Sequence, residues 1–355
     1  MQNNNMMNAL VIHGKQDYRY EQIPMPVPGP GEILLQVKGC GVCAGDLKIY
    51  SGKSDIWDDP ETSILQPPCS PGHEFCGVVC ALGEGVTEYQ IGDFLVTEQL
   101  VPCGKCVDCR RGMHWLCPEL RVFGLNAGIN GGFAEYVRLP ANSRIHRIPA
   151  DFTVEQAALV EPMACGMHAA ERAQVQHEDV VVVAGMGPIG LSIVNVLRLS
   201  LPKLLIALDT NPHRLQMSLE FGADIALNPL ECDLDAEIRK LTDGVGCDAY
   251  IEASGFPASV GQGLQILRTR GRYVQFGVQA YPVPTDWNII GDGKELTILG
   301  SHLSALCYPA VIRGIQTGLL RTEGLISHTF SLSQWQEGFE TPKVDKNAMK
   351  ILITP

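Results

Sequence analysis

The 355-residue sequence has no run of about 18 apolar residues, the length that a membrane-spanning helix requires. It also has no basic excess, because 27 lysines and arginines stand against 39 acidic residues, giving a formal net charge of −12. This balance argues against nucleic-acid and anionic-membrane partners. The first ten residues, MQNNNMMNAL, lack the basic region and apolar core of a secretion signal. We therefore expect a cytoplasmic location.

Thirteen cysteines without a secretion signal favour thiolate metal chemistry over disulfides. Four of them have the spacing C-x2-C-x2-C-x7-C, namely Cys103, Cys106, Cys109 and Cys117. Four thiolates in one short loop can complete a tetrahedron around Zn²⁺, which leaves no position for a substrate. The spacing predicts a structural zinc site, and an iron–sulfur cluster is the alternative that four thiolates also suit.

A glycine-rich turn follows a β-branched run at 180–183, which is typical of a buried parallel strand. The turn spans residues 185–190 and has the pattern G-x-G-x-x-G, with Gly185, Gly187, Pro188, Ile189 and Gly190 as the predicted cofactor-binding residues. The first glycine permits the tight turn, the second lets a pyrophosphate approach the backbone, and the third lets the following helix pack closely. The N-terminus of that helix offers free N–H groups to phosphates. We therefore predict a dinucleotide site here.

The next predicted strand, at 204–208, ends in Asp209, and no basic residue follows at once. An acid at this place accepts hydrogen bonds from the ribose hydroxyls and repels the 2′-phosphate of NADP. The sequence therefore predicts binding of NAD(H), with NAD preferred over NADP.

The length predicts two domains of about 150 residues each. Residues 8–150 are β-rich and loop-rich, whereas residues 151–300 alternate between strands and helices, which predicts a doubly wound parallel sheet. Further strands are expected at 223–228, 247–253, 271–277 and 296–300, and helices at 212–221, 233–242 and 257–269. We expect the segment after residue 300, which has a last strand at 350–354, to return to the first domain.

Other candidate metal ligands are dispersed along the chain: Cys43 after a predicted strand, His73 and Glu74 before another, and Glu161 before Pro162. Each alone is more often structural. Together, however, the motifs and their order resemble the zinc-dependent medium-chain alcohol and polyol dehydrogenases. The motifs are, in chain order, the Cys43 loop, Gly72-His73-Glu74, the loop with the four cysteines (the four-cysteine lobe), Glu161-Pro162, the glycine turn, Asp209 and the last strand. The resemblance implies an α/β protein with a GroES-like β-rich catalytic domain (1–157 and 300–355) and a Rossmann NAD-binding domain (158–299).

The resemblance also implies the roles of the dispersed residues. Cys43 and His73 match catalytic zinc ligands. Glu74 and Glu161 match two carboxylates of the site, one bound directly and one directly or through water, and the sequence leaves open which binds at rest. Glu161 stands where many alcohol dehydrogenases carry cysteine, which indicates the polyol branch. Asp46 matches the acid that orients the ligand histidine.

Cofactor contacts are implied for Arg214, Gly277, Val278 and Lys350, and substrate contacts for Trp57 and His302. A solvated surface role for Lys350, and plain wall or interface roles for Trp57 and His302, are the alternatives. The zinc would lower the pKa of a substrate hydroxyl, and the nicotinamide would accept the hydride. The hydroxyl and histidine that commonly relay the proton are replaced by Gly45 and Lys48, so a water beside Gly45 or Lys48 itself would have to serve.

A finer resemblance, to the erythritol and threitol dehydrogenases, rests on several segments: 17–19, 43–50, Trp57, 286–290, 294–296, 300–303 and 308–309. It implies a short linear polyol as substrate. A sorbitol- or threonine-type dehydrogenase is the alternative, and a non-catalytic zinc- and dinucleotide-binding structural or sensor protein is the alternative of another class. We expect a homodimer or homotetramer, with the sixth strand of the parallel sheet paired across a twofold axis.

Overall fold

The computed structural model describes residues 6–57, 63–119, 121–126, 128–279 and 281–355. The chain divides into two compact units, which we call unit 1 (residues 1–161 and 308–355) and unit 2 (residues 162–307). The boundaries predicted from the sequence, after residues 157 and 299, lie four and eight residues earlier, respectively. No described helix is both long enough and apolar enough to cross a membrane.

The elements of the chain up to residue 172 are β1 (Met6–Gly14), β2 (Asp17–Pro24), β3 (Ile33–Val42), α1 (Ala44–Tyr50), β4 (Glu74–Leu82), β5 (Phe94–Thr97), β6 (Leu100–Val101), α2 (Val107–Arg110), β7 (Arg121–Val122), β8 (Tyr136–Leu139), β9 (Ile145–Arg147), α3 (Val154–Ala158) and α4 (Val160–Arg172). Unit 2 continues with β10 (Val180–Ala184), α5 (Pro188–Leu197), β11 (Leu204–Leu208), α6 (Pro212–Glu220), β12 (Ile225–Leu227), α7 (Leu234–Leu241), β13 (Cys247–Glu252), α8 (Pro257–Ile266), β14 (Leu267–Gln275) and β15 (Thr297–Gly300). The chain ends in unit 1 with α9 (Tyr308–Gln316), β16 (Ile326–Ser331), α10 (Trp335–Val344) and β17 (Lys350–Thr354).

The central sheet of unit 1 has the order β16-β17-β3-β4-β5-β9, and β8 also pairs with β3. Strand β3 is the organising element, because Ile33, Leu35 and Val37 are buried in the main core of the unit. Antiparallel pairing places Gly41 of β3 opposite Glu74 of β4. On its other side, β3 pairs with β17 close to Lys350. The C-terminal end of β3 therefore lies beside the N-terminal ends of β4 and β17, although these strands are far apart in sequence.

Unit 2 contains a parallel sheet with the order β12-β11-β10-β13-β14-β15 among the described residues. This confirms the predicted doubly wound sheet, and β10 is buried along its whole length, as expected of a strand covered on both faces. Two predicted bounds are wrong by three or more residues, and the others agree within two. Helix α8 ends at Ile266 rather than 269, and β14 begins at Leu267 rather than 271, because the backbone turns directly from helix to extended conformation at Leu267.

Candidate functional site

Three dispersed candidate ligands lie together at the strand ends of unit 1. Cys43 follows β3, while His73 precedes Glu74, the first residue of β4. One ligand atom from each lies within 4.8 Å of the other two, and we call this group the Cys43 cluster. Ligands of a tetrahedral zinc ion lie about 3.3–3.8 Å apart, so small side-chain movements would complete such a site. Glu161 lies outside this 4.8 Å group.

Buried acids surround the Cys43 cluster. Asp46 accepts a hydrogen bond from the backbone N–H of Cys43 at 2.9 Å, and its other oxygen lies 3.9 Å from Nδ1 of His73. Burial alone lowers the pKa of His73, but the hydrogen bond to Cys43 and the charges of Asp46, Cys43 and Glu161 raise it well above its usual value. Surroundings that favour an imidazolium cation also favour a bound metal dication.

Glu74 is also paired with Lys350, whose Nζ donates to Oε1 of Glu74 at 2.7 Å and to the carbonyl oxygen of Val42 at 3.2 Å. The two side chains are 2% and 6% exposed, respectively. Burial lowers the pKa of Lys350, yet the Glu74 carboxylate and the charges of Cys43 and Glu161 raise it above its usual value, so the ammonium form is retained. The alternative of a solvated surface lysine is therefore wrong. Contact of Lys350 with cofactor phosphates stays a prediction.

The second oxygen of Glu74, Oε2, is buried and has no hydrogen-bond partner among the described residues. Buried polar atoms normally have a partner, and a metal ion supplies one for a carboxylate. A thiolate, an imidazole and carboxylates form a donor set that suits Zn²⁺. Cys43, His73 and Glu74, with Glu161 nearby, could therefore hold a zinc ion.

Replacing Lys350 by methionine should lower the free energy of unfolding by about 3–5 kcal/mol, because it leaves a buried carboxylate without its counter-ion. Lys343→Met is the matched control, since Lys343 forms an exposed ion pair with Glu340, worth less than about 1 kcal/mol. Denaturant unfolding measures both variants. Adding Glu74→Gln to Lys350→Met should recover part of the loss, and equal losses in the two lysine variants would contradict this account.

The four cysteines of the lobe also converge, with one sulfur atom from each within 4.8 Å of the others. The Sγ atoms of Cys103 and Cys109 are 4.0 Å apart, as are those of Cys106 and Cys117. These separations exceed the disulfide length of about 2.05 Å and approach the roughly 3.8 Å expected between thiolates of a tetrahedral zinc ion. Backbone N–H groups of Lys105 and Cys106 help to lower the pKa of Cys103 to about 7. The lobe therefore fits a metal bound by four thiolates.

In unit 2, each glycine of the G-x-G-x-x-G turn meets a different constraint. Gly185 has φ +93°, which side chains rarely permit. A Cβ on Gly190 would overlap the carbonyl oxygen of Gly185, whereas a Cβ on Gly187 would have no protein atom within 4 Å. The open space at Gly187 leads to the N-terminus of α5, whose first turn contains Pro188 and Ile189. A phosphate can therefore approach this backbone closely.

Asp209 lies at the carboxyl end of β11, beside this turn. Its carboxylate accepts hydrogen bonds from the backbone N–H groups of Met186, at 2.7 Å, and Asn211, at 2.8 Å. All strands of the sheet are parallel, and β10 and β13 lie side by side where the strand order reverses: β11 and β12 lie on one side of β10, and β13, β14 and β15 on the other. In sheets of this kind, dinucleotides bind outside the carboxyl ends of the strands at that point.

The Asp209→Asn variant should lose at least about tenfold of its preference for NAD over NADP in kcat/KM, a difference of about 1.4 kcal/mol. The amide keeps the size of the side chain but not the charge that repels a 2′-phosphate. Asp224→Asn is the control, because Asp224 accepts from the backbone N–H of Leu205 near the other end of β11. An unchanged ratio in Asp209→Asn, or an equal change in both variants, would contradict the assignment.

The remaining predicted cofactor-binding residues lie at other positions in unit 2. Gly277 and Val278 follow β14, where the Gly277 N–H donates to the carbonyl oxygen of Glu252. Arg214 lies in the first turn of α6. Their cofactor contacts stay predictions.

The substrate-side candidates likewise stay predictions. In unit 1, Lys48 is an exposed residue of α1, and the Trp57 indole donates to the carbonyl oxygen of Ile49 at 2.8 Å while packing on the core. In unit 2, His302 is exposed in the segment after β15.

Two features of the structure are not predicted from the sequence. The Lys350–Glu74 pair joins residues 276 positions apart. A further group of potential ligands, His168, Glu171 and Cys307, has atoms within 4.8 Å of one another in unit 2. The spacing of His168 and Glu171 on one helix was the available signal for the second feature.

The two units together define a zinc-dependent oxidoreductase with a dinucleotide-binding domain. Residues 29–150 match the family model of the alcohol dehydrogenase GroES-like domain, and residues 188–317 match that of zinc-binding dehydrogenase. The chain belongs to the zinc-dependent medium-chain dehydrogenase family, whose alcohol- and polyol-oxidising members use NAD(P). The predicted family and the GroES-like and Rossmann fold are thereby confirmed.

Curated relatives cover nearly the whole chain. The erythritol/L-threitol dehydrogenase of Mycolicibacterium smegmatis is 40% identical over 98% of both chains. The L-threonine 3-dehydrogenase of Pyrococcus horikoshii is 32% identical over 94% of both. The sorbitol dehydrogenase of Halalkalibacterium halodurans is 32% identical over 98% of this chain and 99% of its own.

Solved structures with bound cofactor are similar along the whole chain. An Escherichia coli CFT073 alcohol dehydrogenase complexed with NADH has a TM-score of 0.89 and 31% identity, covering 99% of this chain and 100% of its own. A zinc-binding dehydrogenase target from Sinorhizobium meliloti 1021 bound to NADP has a TM-score of 0.90 and 27% identity, covering 99% of both. This enzyme is therefore a zinc-dependent alcohol or polyol dehydrogenase that uses a nicotinamide dinucleotide.

Proposed function

We propose that this enzyme oxidises a hydroxyl of a short linear polyol, of the erythritol or threitol class, with NAD as the hydride acceptor. The observation that carries the proposal is the Cys43 cluster, which includes the buried carboxylate of Glu74. The carboxylate of Glu161 is also buried but lies outside the cluster. The likeness to an erythritol/L-threitol dehydrogenase, at 40% identity, supports the substrate class. Asp209 supports NAD over NADP, because its negative charge opposes a 2′-phosphate.

In this proposal, zinc supplies Lewis-acid polarisation of the substrate hydroxyl, and NAD accepts the hydride. Cys43, His73 and the two glutamates would hold the metal, one glutamate directly and the other directly or through a water. Asp46 orients the His73 imidazole, as outer carboxylates do for metal-bound histidines. Lys350 offsets the charge of the buried Glu74 carboxylate.

The proton of the hydroxyl needs a route to solvent. A Cβ added at Gly45 would lie 3.7 Å from Sγ of Cys43, the nearest atom apart from its chain neighbours and its own helix backbone, so glycine leaves room for a water beside the cluster. Lys48 lies three residues further along α1 and is exposed. We assign proton transfer to this water or to Lys48, in place of the hydroxyl and histidine common in relatives.

A substrate panel tests the proposal. Erythritol, both threitol enantiomers, sorbitol and L-threonine are each offered with NAD and with NADP, and the absorbance of reduced nicotinamide is followed. We expect the highest kcat/KM for a four-carbon polyol with NAD. Sorbitol or L-threonine turned over far better than every four-carbon polyol would replace the proposal with one of those activities, which the 32% identical relatives represent.

Self-association through β15 also stays a prediction. This strand forms one edge of the parallel sheet of unit 2, and Ile298 on it is 44% exposed. An exposed apolar edge strand can pair with a second copy across a twofold axis. Sedimentation of the wild type and of an Ile298→Lys variant would measure it.

A further inference from the structure

A third group of potential metal ligands lies in unit 2, apart from the Cys43 cluster and the four-cysteine lobe. His168 and Glu171 are three residues apart on α4, so both side chains project from one face of the helix. Cys307, the last residue of unit 2, contributes the third ligand atom from far along the chain. The three ligand atoms lie within 4.8 Å of one another, and Sγ of Cys307 is 3.5 Å from a carboxylate oxygen of Glu171.

We propose that His168, Glu171 and Cys307 form a third zinc site. Imidazole nitrogen, thiolate sulfur and carboxylate oxygen are the donors that Zn²⁺ combines in proteins, with three protein ligands and one open position. Magnesium and calcium prefer all-oxygen sites and are not expected here. A water molecule would occupy the fourth coordination position of the zinc ion.

Two of the three potential ligands are buried and one is exposed, which favours an ordered site that an ion can reach from solvent. His168 and Cys307 are 8% and 3% exposed, whereas Glu171 is exposed and provides the entry for the ion. The neighbouring Arg172 guanidinium donates to the carbonyl oxygen of Gly300 at 2.9 Å.

The site joins the two segments by which the chain enters and leaves unit 2. Helix α4 brings the chain into unit 2, and Cys307 immediately precedes the return to unit 1 at Tyr308. A metal ion would cross-link these segments, and its binding would release the thiol proton of Cys307 to solvent. With three protein ligands and one of them exposed, this site should bind zinc more weakly than the four-cysteine lobe.

Metal stoichiometry tests the proposal independently of the substrate. The wild-type enzyme and three variants, Cys307→Ser, Glu171→Gln and Cys232→Ser, are equilibrated with micromolar free zinc, and bound zinc per chain is measured. Cys232 is a partly buried cysteine of the same unit that belongs to none of the three ligand groups, which makes its variant the matched control. Glu171→Gln changes an exposed side chain, so the test does not depend on the folding of Cys307→Ser.

We expect Cys307→Ser to bind one zinc fewer than the wild type and Cys232→Ser to bind as many. Glu171→Gln should weaken the last equivalent at least about tenfold. Cobalt added after the tight sites are filled with zinc should give a thiolate-to-cobalt absorption band in the wild type and in Cys232→Ser but not in Cys307→Ser. Equal zinc content and equal cobalt spectra in the wild type and Cys307→Ser would overturn the proposal. A missing catalytic or lobe metal would instead lower the content of all four proteins alike.

Discussion

Replacing Cys43 by serine is expected to lower kcat/KM for the best polyol about a thousandfold or more. The ligand thiolate is lost, and a metal that polarises a hydroxyl contributes several kcal/mol to transition-state stabilisation. Each 1.36 kcal/mol corresponds to a factor of ten in rate, so about 4 kcal/mol gives a thousandfold loss. Zinc content should fall by about one per chain, whereas thermal stability should change little because Cys43 is only partly buried.

Cys80→Ser is the matched control for this experiment. Cys80 lies in β4 of the same unit but is exposed, and its sulfur donates to the carbonyl oxygen of Leu34. Its variant should keep wild-type activity and zinc content. If Cys43→Ser retained more than a tenth of wild-type activity, the Cys43 cluster would not be the reaction centre.

The parts of the molecule that the sequence predicts well are those specified by neighbouring residues. The G-x-G-x-x-G turn contains its strand end, its turn and its helix start within a dozen residues, so the pattern alone indicates the local structure. The four-cysteine lobe is local in the same sense, since fifteen residues contain all its sulfur atoms. The alternating strand and helix pattern of unit 2 likewise predicts its sheet, with errors at element ends such as Leu267.

The parts of the site that the sequence does not predict depend on pairing between strands that are far apart in the chain. Sequence patterns show that β3 and β4 are strands, but not that Gly41 lies opposite Glu74. The placement of Lys350 depends on β17, which pairs with β3 after more than 300 residues of intervening chain. Its sequence context, an apolar last strand, fits a buried lysine as well as a surface one. The partner that makes burial tolerable, Glu74, is visible only in the folded chain.

Loss of a cysteine from the lobe should affect stability rather than chemistry. Cys109→Ser removes one of four sulfur ligands, so the lobe should lose its zinc, and the free energy of unfolding of unit 1 should fall by about 4 kcal/mol or more. Cys109 is buried, and a serine hydroxyl does not replace the thiolate that zinc prefers in such a site. Thermal unfolding and zinc content measure the loss, and residues 103–117 should become the preferred site of limited proteolysis.

The activity of the folded fraction separates the two metal sites. A filled four-thiolate site has no open position for a substrate, so kcat of Cys109→Ser at low temperature should stay within about tenfold of the wild type. Cys43→Ser should show the reverse behaviour, with stability kept and turnover lost. The contrary result would be a Cys109→Ser variant that loses turnover while its zinc content and melting temperature stay at wild-type values. That result would assign the lobe to the reaction centre, because a metal site that affects the rate without affecting the fold must contact the substrate.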